Sequence, residues 1–239
     1  MTRSRNGLAY AGAIEPVRHT RLLNWRYEQE VLADAPVAYW RLGELSGTTA
    51  LASAGASTGT YTGGYTLGQA SLVGDGDGAI ALNGSTGYVD IAAAAAINIT
   101  SGTCECWFQT PAPGAGYAAL IRKNSSYNIY IVAGVLEIWA NSPGTSRSTS
   151  IRVDDGMVHH AVLTFQSGSA NGTLVYLDGK LVLTTTITVT SSALGLRIGT
   201  DASGTQCVAG TVDDVAVYST LLSPVRIRTH YLAGTRSMV

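Results

Sequence analysis

The chain has 239 residues, of which 46% are hydrophobic, only 13% are charged and 28 are glycine. This combination excludes a disordered protein or a coiled coil. The 15 basic and 16 acidic side chains leave a formal net charge of -1, so no global field would gather nucleic acid or an anionic membrane. No run approaches the roughly 18 apolar residues of a membrane-spanning helix. Nucleic acid and membranes are therefore not expected partners.

The first 33 residues differ in composition from the rest of the chain, with five basic residues against three acidic ones. We expect residues 1–33 to form an N-terminal arm that anchors the protein to a partner. The spacing of Leu23, Tyr27 and Val31 fits a short amphipathic helix equally well. The predicted anchoring side chains are Arg3, Arg5, Arg18, Arg21, Trp25, Arg26 and Tyr27.

From residue 36 onward, short β-rich runs alternate with Gly, Asn, Asp and Ser, a spacing typical of a β-sandwich. An Asp178-Gly179 pair between two such runs predicts a two-residue hairpin, because both turn positions need a positive φ. One short helix is predicted near the end, with Ser223 as N-cap, Pro224 at the first helical position and Gly234 as the stop. The expected fold is therefore all-β with a short C-terminal helix.

Six phrases along the chain are more specific than this pattern. They are residues 38–44 (AYWRLGE), 79–91 (AIALNGSTGYVDI), 104–108 (CECWF), 155–160 (DGMVHH), 175–180 (VYLDGK) and 210–218 (GTVDDVAVY). In this order they resemble successive segments of the laminin-G-like branch of the concanavalin-A-like lectin and glucanase family. The resemblance covers residues 34–234 and implies a jelly-roll sandwich of two antiparallel sheets. Residues 34–234 are thus predicted to be one domain, followed by a C-terminal tail at residues 235–239.

The acidic residues of the predicted strands argue against catalysis. A retaining glycosidase needs two carboxyl groups about 5 Å apart, and enzymes resembling this fold usually take them from alternate positions of one strand. Glu105 and Glu137 have no acidic residue at those positions, so both are expected to point into solvent. His159 and His160 have no serine or cysteine in a nucleophile context, so a structural role is expected. The sequence predicts that the protein is not an enzyme.

A sugar site on a β-sandwich usually combines exposed aromatic rings with a few amide or carboxylate groups, because a pyranose has an apolar face and polar edges. For each aromatic candidate, the alternative is packing in the core or in a loop. Trp40 and Trp107 lie in apolar strand context and are expected in the core. The candidate glycan-binding residues are Tyr61, Tyr65, Tyr117, Tyr127, Asn128 and Trp139.

The adjacent Asp213 and Asp214 form the most unusual acidic feature of the sequence. Neighbouring side chains of an unbroken strand point to opposite faces, so at least one of these carboxylates lies beside apolar residues and needs a partner. Domains resembling this one often carry a structural calcium ion, which Glu44, Asp213 and Asp214 could hold with oxygen ligands. The favoured alternative is an ion pair with Arg41 or Arg226, or hydrogen bonds from backbone N–H groups.

A laminin-G-like domain that opens with a phrase such as residues 31–40 (VLADAPVAYW) resembles minor tail and other accessory virion proteins of bacteriophages. The first residues show no convincing cleavage site for export, as expected of a part assembled in the host cytoplasm. The sequence therefore predicts a non-enzymatic virion structural protein, in the tail or on the capsid, present in multiple copies. Residues 1–33 would bind other virion proteins, and the domain would adhere to a host-surface glycan. The alternative is a secreted or surface carbohydrate-binding module of a bacterium.

Overall fold

The structure, a computed structural model, describes residues 26–55, 57–111, 116–140 and 144–236. Its α-helices are α1 (Arg26–Ala33) and α2 (Pro224–Arg236), and a short 3₁₀ helix spans Ala95–Ile97. Neither these nor any other helical segment of the described chain is long and apolar enough to span a membrane. The strands are β1 (Ala38–Trp40), β2 (Thr49–Ala50), β3 (Ala52–Ala54), β4 (Gly59–Thr62), β5 (Tyr65–Gln69), β6 (Ala79–Asn83), β7 (Tyr88–Ile91), β8 (Ser101–Gln109), β9 (Tyr117–Lys123), β10 (Tyr127–Val132), β11 (Val135–Ala140), β12 (Thr145–Arg152), β13 (Val158–Gln166), β14 (Thr173–Leu177), β15 (Lys180–Thr185), β16 (Leu196–Ile198) and β17 (Ala209–Tyr218).

The strands form two antiparallel sheets that pack face to face. Sheet A has the order β15-β14-β13-β8-β17-β1-β3, and β6 joins it by pairing with β17 and β5. Sheet B has the order β12-β11-β10-β9-β16-β7-β4-β2. Strands distant in sequence, such as β8 and β17, are neighbours in space, as in a jelly roll. The predicted all-β sandwich of two antiparallel sheets is confirmed.

The main core lies between the two sheets and follows from the alternation of side chains along each strand. In β8, for example, Cys104, Cys106 and Phe108 are fully buried on the inner face. Trp40 of β1 is also fully buried there, and its indole N–H donates to the carbonyl of Ser57 at 2.8 Å. Each large apolar side chain buried in this way contributes roughly 1.5–3 kcal/mol to folding. The core position predicted for Trp40 is confirmed.

A second apolar layer lies on the outer face of sheet A, beneath α1 and α2. Tyr27 of α1 and Ile227 of α2 pack there with Trp107 of β8 and Tyr218 of β17, and all four are fully buried. The rings of Tyr27 and Trp107 meet edge to face, with centroids 5.6 Å apart, a favoured aromatic geometry. Trp107 is therefore buried as predicted, but it lies in the layer between sheet A and the helices rather than in the main core.

The predicted start of the C-terminal helix and the predicted hairpin are both confirmed. The Ser223 hydroxyl accepts the backbone N–H of Arg226 at 3.3 Å, and α2 begins at the next residue, proline. Asp178 and Gly179 have φ of 52° and 72° and connect β14 to β15. The predicted stop is wrong, because α2 continues through Gly234. A Cβ at this position would lie 3.0 Å or less from three atoms of the Trp107 ring, so glycine permits close packing here.

The predicted boundary between arm and domain also needs correction. Residues 1–25 lie outside the described residues, and with them the predicted anchors Arg3, Arg5, Arg18, Arg21 and Trp25. Helix α1 begins at Arg26, and its Tyr27 and Val31 are fully buried against sheet A. Tyr27 is therefore not free to anchor another protein, because its ring is already covered within this chain. The helix belongs to the domain, and so does Thr235 of the predicted tail.

Candidate functional site

The outer face of sheet B is the open face of the sandwich. Both α-helices lie on sheet A, so neither of them covers sheet B. Leu136 and Ile138 of β11 point into the core. Because side chains alternate along a strand, Glu137 and Trp139 point to the outer face. Tyr130 of β10 pairs with Glu137 in the register and shares the same face.

A cleft of about 300 Å³ opens on this face. Aromatic rings, an arginine, a carboxylate and an amide come together in it from β9, β10, β11, β12 and the loop after β16. Its lining residues are Tyr117, Arg122, Tyr130, Val132, Glu137, Ile138, Trp139, Ser146 and Gln206. A concave site with aromatic walls and a few polar groups is the usual form of a small-ligand or sugar site.

Arg122 is the central polar group of the cleft. Its guanidinium donates to the Tyr130 hydroxyl and, through Nε, to the side-chain carbonyl of Asn124 at 3.0 Å. Its guanidinium carbon lies 5.7 Å from the ring centroid of Trp139, within the range of a cation–π contact. Burial raises the pKa of Tyr130 despite the opposing effect of Arg122, so this hydroxyl keeps its proton. These contacts fix the position of the arginine beside Trp139.

Two of the predicted glycan-binding residues meet at this cleft. Tyr117 is 59% exposed and Trp139 is half-buried. Asn128 lies on the outer face between Trp139 and Arg122 in the register. It is fully buried, however, and its amide donates to the carbonyl of Trp139 at 3.1 Å. Asn128 is therefore not a surface contact, which corrects the prediction. Its side-chain carbonyl has no hydrogen-bond partner among the described residues.

The other three predicted glycan-binding tyrosines lie elsewhere. Tyr127 points into the main core, where its hydroxyl donates to the carbonyl of Ile97 at 3.0 Å. Tyr61 is buried and donates to the Glu44 carboxylate, which raises the pKa of this tyrosine in addition to the larger effect of burial. Its ring stacks on Tyr65 with centroids 5.1 Å apart. These three rings therefore serve packing, the alternative that the sequence left open.

The sequence missed the polar half of the cleft. Arg122, Tyr130 and Gln206 were not among the predicted site residues, and Glu137 was assigned to solvent alone. One sequence signal could have located Arg122: it is a charged residue at the end of an apolar strand run, residues 118–122 (AALIR). The β9–β10 register shifts beside Tyr130, and such bulges redirect side chains. Period-two alternation alone did not locate Arg122.

The acidic pair in β17 does not form the calcium site that the sequence left open, and Asp213 instead follows the favoured alternative of a hydrogen bond from a backbone N–H. Asp213 accepts the backbone N–H of Leu72 at 2.8 Å, and Asp214 accepts the Tyr39 hydroxyl. Glu44 instead accepts the Tyr61 hydroxyl and a backbone N–H. Over the ranges that the structure describes, no group of three or more His, Cys, Asp or Glu side chains is arranged to hold a metal ion. The three predicted ligands therefore do not make one donor set.

The expectation of an unbroken strand fails at this pair. The β8–β17 register shifts between Asp213 and Ala216, and Asp214 has a φ of 49°. Both carboxylates are consequently buried, and burial together with nearby carboxylates raises the pKa of each well above its ordinary value. Asp214 is close enough to Arg41 for the arginine to oppose this rise in pKa.

Arg41 and Arg226, the basic partners predicted for Asp213 and Asp214, form ion pairs with other carboxylates. Arg41 forms ion pairs with Asp75 at 2.5 Å, Asp77 at 3.1 Å and Glu28 at 3.2 Å. Arg226 pairs with Glu30 and Asp34, each at 2.9 Å. The proposed pairing of Arg226 with Asp213 or Asp214 is therefore corrected.

Glu105 is the clearest failure of the sequence-based expectation. It is fully buried beneath the helices. One carboxylate oxygen accepts the Tyr218 hydroxyl at 2.5 Å and His230 Nδ1–H at 3.0 Å, and the other accepts His160 Nε2–H at 3.0 Å. Burial would raise the pKa of Glu105, but His230 and His160 outweigh it and hold that pKa well below the usual range. Glu105 is an internal ion-pair partner rather than a solvated group.

His230 completes this internal network. Its Nε2 lies 3.0 Å from Asp34, so both ring nitrogens face carboxylates. Carboxylates only accept hydrogen bonds, so both nitrogens carry protons. Burial would lower the pKa of His230, but Glu105 and Asp34 outweigh it and raise the pKa. The network therefore holds α2 on sheet A, a structural role as expected for His160.

A family model described as the concanavalin A-like lectin/glucanases superfamily (Laminin_G_3) matches residues 83–228. The chain belongs to this superfamily. The family resemblance drawn from the six phrases is thereby confirmed. A search of curated proteins found no match.

Solved structures with the superfamily fold are similar at low sequence identity. A Trypanosoma rangeli sialidase in complex with sialic acid is 15% identical, with a TM-score of 0.62 over 82% of this chain and 32% of that chain. The binding domain of botulinum neurotoxin serotype D is 13% identical, with a TM-score of 0.62 over 83% and 51%. That of serotype G is 13% identical, with a TM-score of 0.64 over 82% and 50%. The aligned part is thus a third to a half of each relative, and the similarity shows the fold alone.

The exclusion of an enzyme is wrong, because sialidases occur among the similar structures. The physical reason is that sialidases use a tyrosine nucleophile and do not need the pair of carboxylates on which the exclusion was based. Membership of the superfamily therefore leaves catalysis open for this chain.

Proposed function

We propose that the protein is a glycan-binding domain displayed on a bacteriophage virion, with its ligand in the cleft on sheet B. The observation that supports this most directly is the meeting of Tyr117 and Trp139 with Arg122 and Glu137 on the open face. An aromatic ring offers a surface for the apolar face of a sugar. An arginine donates and a carboxylate accepts, which suits the hydroxyl groups on the sugar edge.

The similar structures also fit a sugar ligand. Among them, the sialidase was solved in complex with sialic acid, and two neurotoxin structures are described as binding domains. Both descriptions fit a cleft that recognises polar ligands.

The virion role is supported by the resemblance of residues 31–40 (VLADAPVAYW) to phage tail and accessory proteins. Because α1 packs on the domain, the anchoring segment proposed here is residues 1–25 with its arginines and Trp25. Anchoring of this segment to other virion proteins, in the tail or on the capsid, would display several copies of the cleft. Assembly would take place in the host cytoplasm.

The glycan proposal is tested by Trp139→Ala on a glycan array. Binding should fall to background because the variant removes the stacking surface. Leu181→Ala is the matched control, since Leu181 is 52% exposed on sheet A. Unchanged binding of Trp139→Ala, or an array with no bound glycan for the parent protein, would contradict the proposal.

The virion proposal is tested separately by deleting residues 1–25. The shortened chain should remain folded and soluble, because α1 and both sheets are intact, and it should no longer enter particles. Particle content is measured by immunoblot of purified virions. Normal incorporation of the shortened chain would sink the anchoring role while leaving the glycan proposal standing.

A further inference from the structure

Two arginines occupy adjacent positions on the open face of sheet B. Arg122 of β9 and Arg197 of β16 face each other directly in the register. Leu196 and Ile198 point into the core, so Arg197 points outward. Opposed side chains have Cβ atoms about 4.5–5.5 Å apart, and like charges there destabilise a sheet. An anion bound between the two guanidinium groups would remove this repulsion.

An aromatic ring supports each arginine on its outer side. Arg122 lies against Trp139, and the guanidinium carbon of Arg197 lies 4.8 Å from the ring centroid of Tyr88. Four strand intervals separate β11 from β7, which at the usual spacing is about 19 Å. A ligand in contact with both rings is therefore longer than one sugar unit. The continuous row across five strands is Trp139, Asn128, Arg122, Arg197 and Asp90.

The negative charges near the two arginines do not neutralise both. Arg197 forms an ion pair with Asp90 at 2.9 Å, but the Asp90 side chain is 52% exposed, and such surface pairs are weak. Nη1 of Arg197 also donates to the backbone carbonyls of Asp201 at 3.0 Å and Ala202 at 2.8 Å. These two acceptors are neutral and leave the charge of the guanidinium in place. The acceptors of Arg122, the Tyr130 hydroxyl and the Asn124 amide, are neutral. Among the described residues no carboxylate lies within ion-pair distance of Arg122. A ligand anion can therefore bind Arg122 without displacing an internal partner carboxylate.

Two other carboxylates limit where the ligand charge can lie. Glu137 lines the cleft on β11, two strands from Arg122. Asp201 accepts the backbone N–H groups of Thr205 and Gln206 and a serine hydroxyl, which hold its pKa at about 2 against the effect of burial. Glu137 therefore disfavours an anion at the β11 end, and the arginine pair favours one at the β9–β16 boundary.

We propose that the ligand of this face is an acidic oligosaccharide, with a carboxylate or sulfate group between Arg122 and Arg197 and a sugar ring against Trp139. This inference rests on the proposed function and names the class of glycan. Arg197 is the new specificity residue, and it lies outside the residues that line the cleft.

The test is an array of oligosaccharides in matched pairs, each in an acidic form and a charge-free form of the same backbone. The pairs are oligogalacturonates with their methyl esters, and sulfated oligosaccharides with their desulfated counterparts. The full chain should bind an acidic member at least tenfold more tightly than its partner. Arg197→Gln should lose about tenfold toward the acid form, the size expected for one charge-assisted contact, with no change toward the neutral form.

Two variants bracket this result. Asp90→Asn frees Arg197 from its carboxylate and should tighten binding of the acid form. Arg228→Gln removes the same type of charge from the exposed side of α2 and should change nothing. Equal binding of acid and neutral forms, or full acid binding by Arg197→Gln, would overturn the inference.

The outcomes separate this inference from the proposed function. If neutral glycans bind and depend on Trp139 but not on Arg197, the glycan site stands and the acidic subsite is rejected. If no glycan binds, both are rejected. Inorganic sulfate serves as the free-anion probe. If sulfate alone displaces the oligosaccharide at equal concentration, the sugar contributes nothing and the inference is also overturned.

Discussion

The two outer faces of the sandwich use similar residue types for different ends. On sheet A, the buried Glu105 lies beneath two helices and accepts hydrogen bonds of 3.0 Å from His160 and His230. On sheet B, Arg122 and Glu137 lie in an open cleft, and neither has an ion-pair partner within the described ranges.

This difference between the two faces shows where a charged side chain can take part in ligand recognition. A buried ion needs its partners inside the chain, because desolvation costs several kcal/mol per ion. Once paired, it has no capacity left for a ligand. A charge on an open face keeps water as its partner and can exchange that water for a ligand group. The covered face therefore stabilises the fold, and the open face is the one suited to binding.

The largest loss of stability is expected from disrupting the Glu105 network on the covered face of sheet A. Glu105→Gln leaves His230 with one carboxylate partner and His160 with none, so the free energy of unfolding should fall by about 3–5 kcal/mol. Urea denaturation measures it. Glu137→Gln is the matched control on the open face and should change stability by no more than about 0.5 kcal/mol. Equal losses in the two variants would contradict the contrast between the faces.

A smaller loss of stability is expected from a substitution in α2, which covers the same layer. Gly234→Ala places a methyl group against the Trp107 ring, and overpacking of this kind costs about 1–3 kcal/mol. Thermal unfolding should show a lower Tm. Arg228→Ala, on the exposed side of the same helix, should leave the Tm nearly unchanged. A Gly234→Ala variant as stable as the parent would show that α2 is not tightly seated.

The covered face should also respond to pH through His230, whose pKa is raised in the folded protein. A histidine with a raised pKa contributes stability that is fully present below its unfolded pKa of about 6.5. That stability is lost as pH rises through the higher folded-state pKa. The free-energy difference between the parent and His230→Gln should therefore shrink from pH 6 toward alkaline pH. A difference independent of pH would refute a charged His230.

The smallest effect on stability is expected on the open face. Tyr117→Ala removes an exposed ring and should change the free energy of unfolding by no more than about 0.5 kcal/mol. Glycan affinity should fall severalfold, as for loss of an aromatic contact worth about 0.5–1.5 kcal/mol. Calorimetric titration with the best array ligand measures this. A large loss of stability would place Tyr117 in the fold rather than in the site.

Much of the architecture could be predicted from local sequence. Strand alternation, the Asp178-Gly179 turn and the Ser223 cap depend on residues a few positions apart, and their physics is local. The family phrases supplied the two-sheet arrangement. Trp139 and Tyr117 were among the predicted site residues because sugar sites on β-sandwiches usually use aromatic rings, but their neighbours in the cleft were not.

The rest required the tertiary structure, because it depends on pairs that are distant in sequence. Glu105 and His230 are 125 positions apart, and no local pattern marks them as partners. Alternation places Glu105 on the outer face of sheet A but does not say that helices cover that face. By itself, then, the sequence determined which residues alternate and turn. Tertiary packing decided which outer face is closed, and hence which charges stabilise the protein and which remain free to bind.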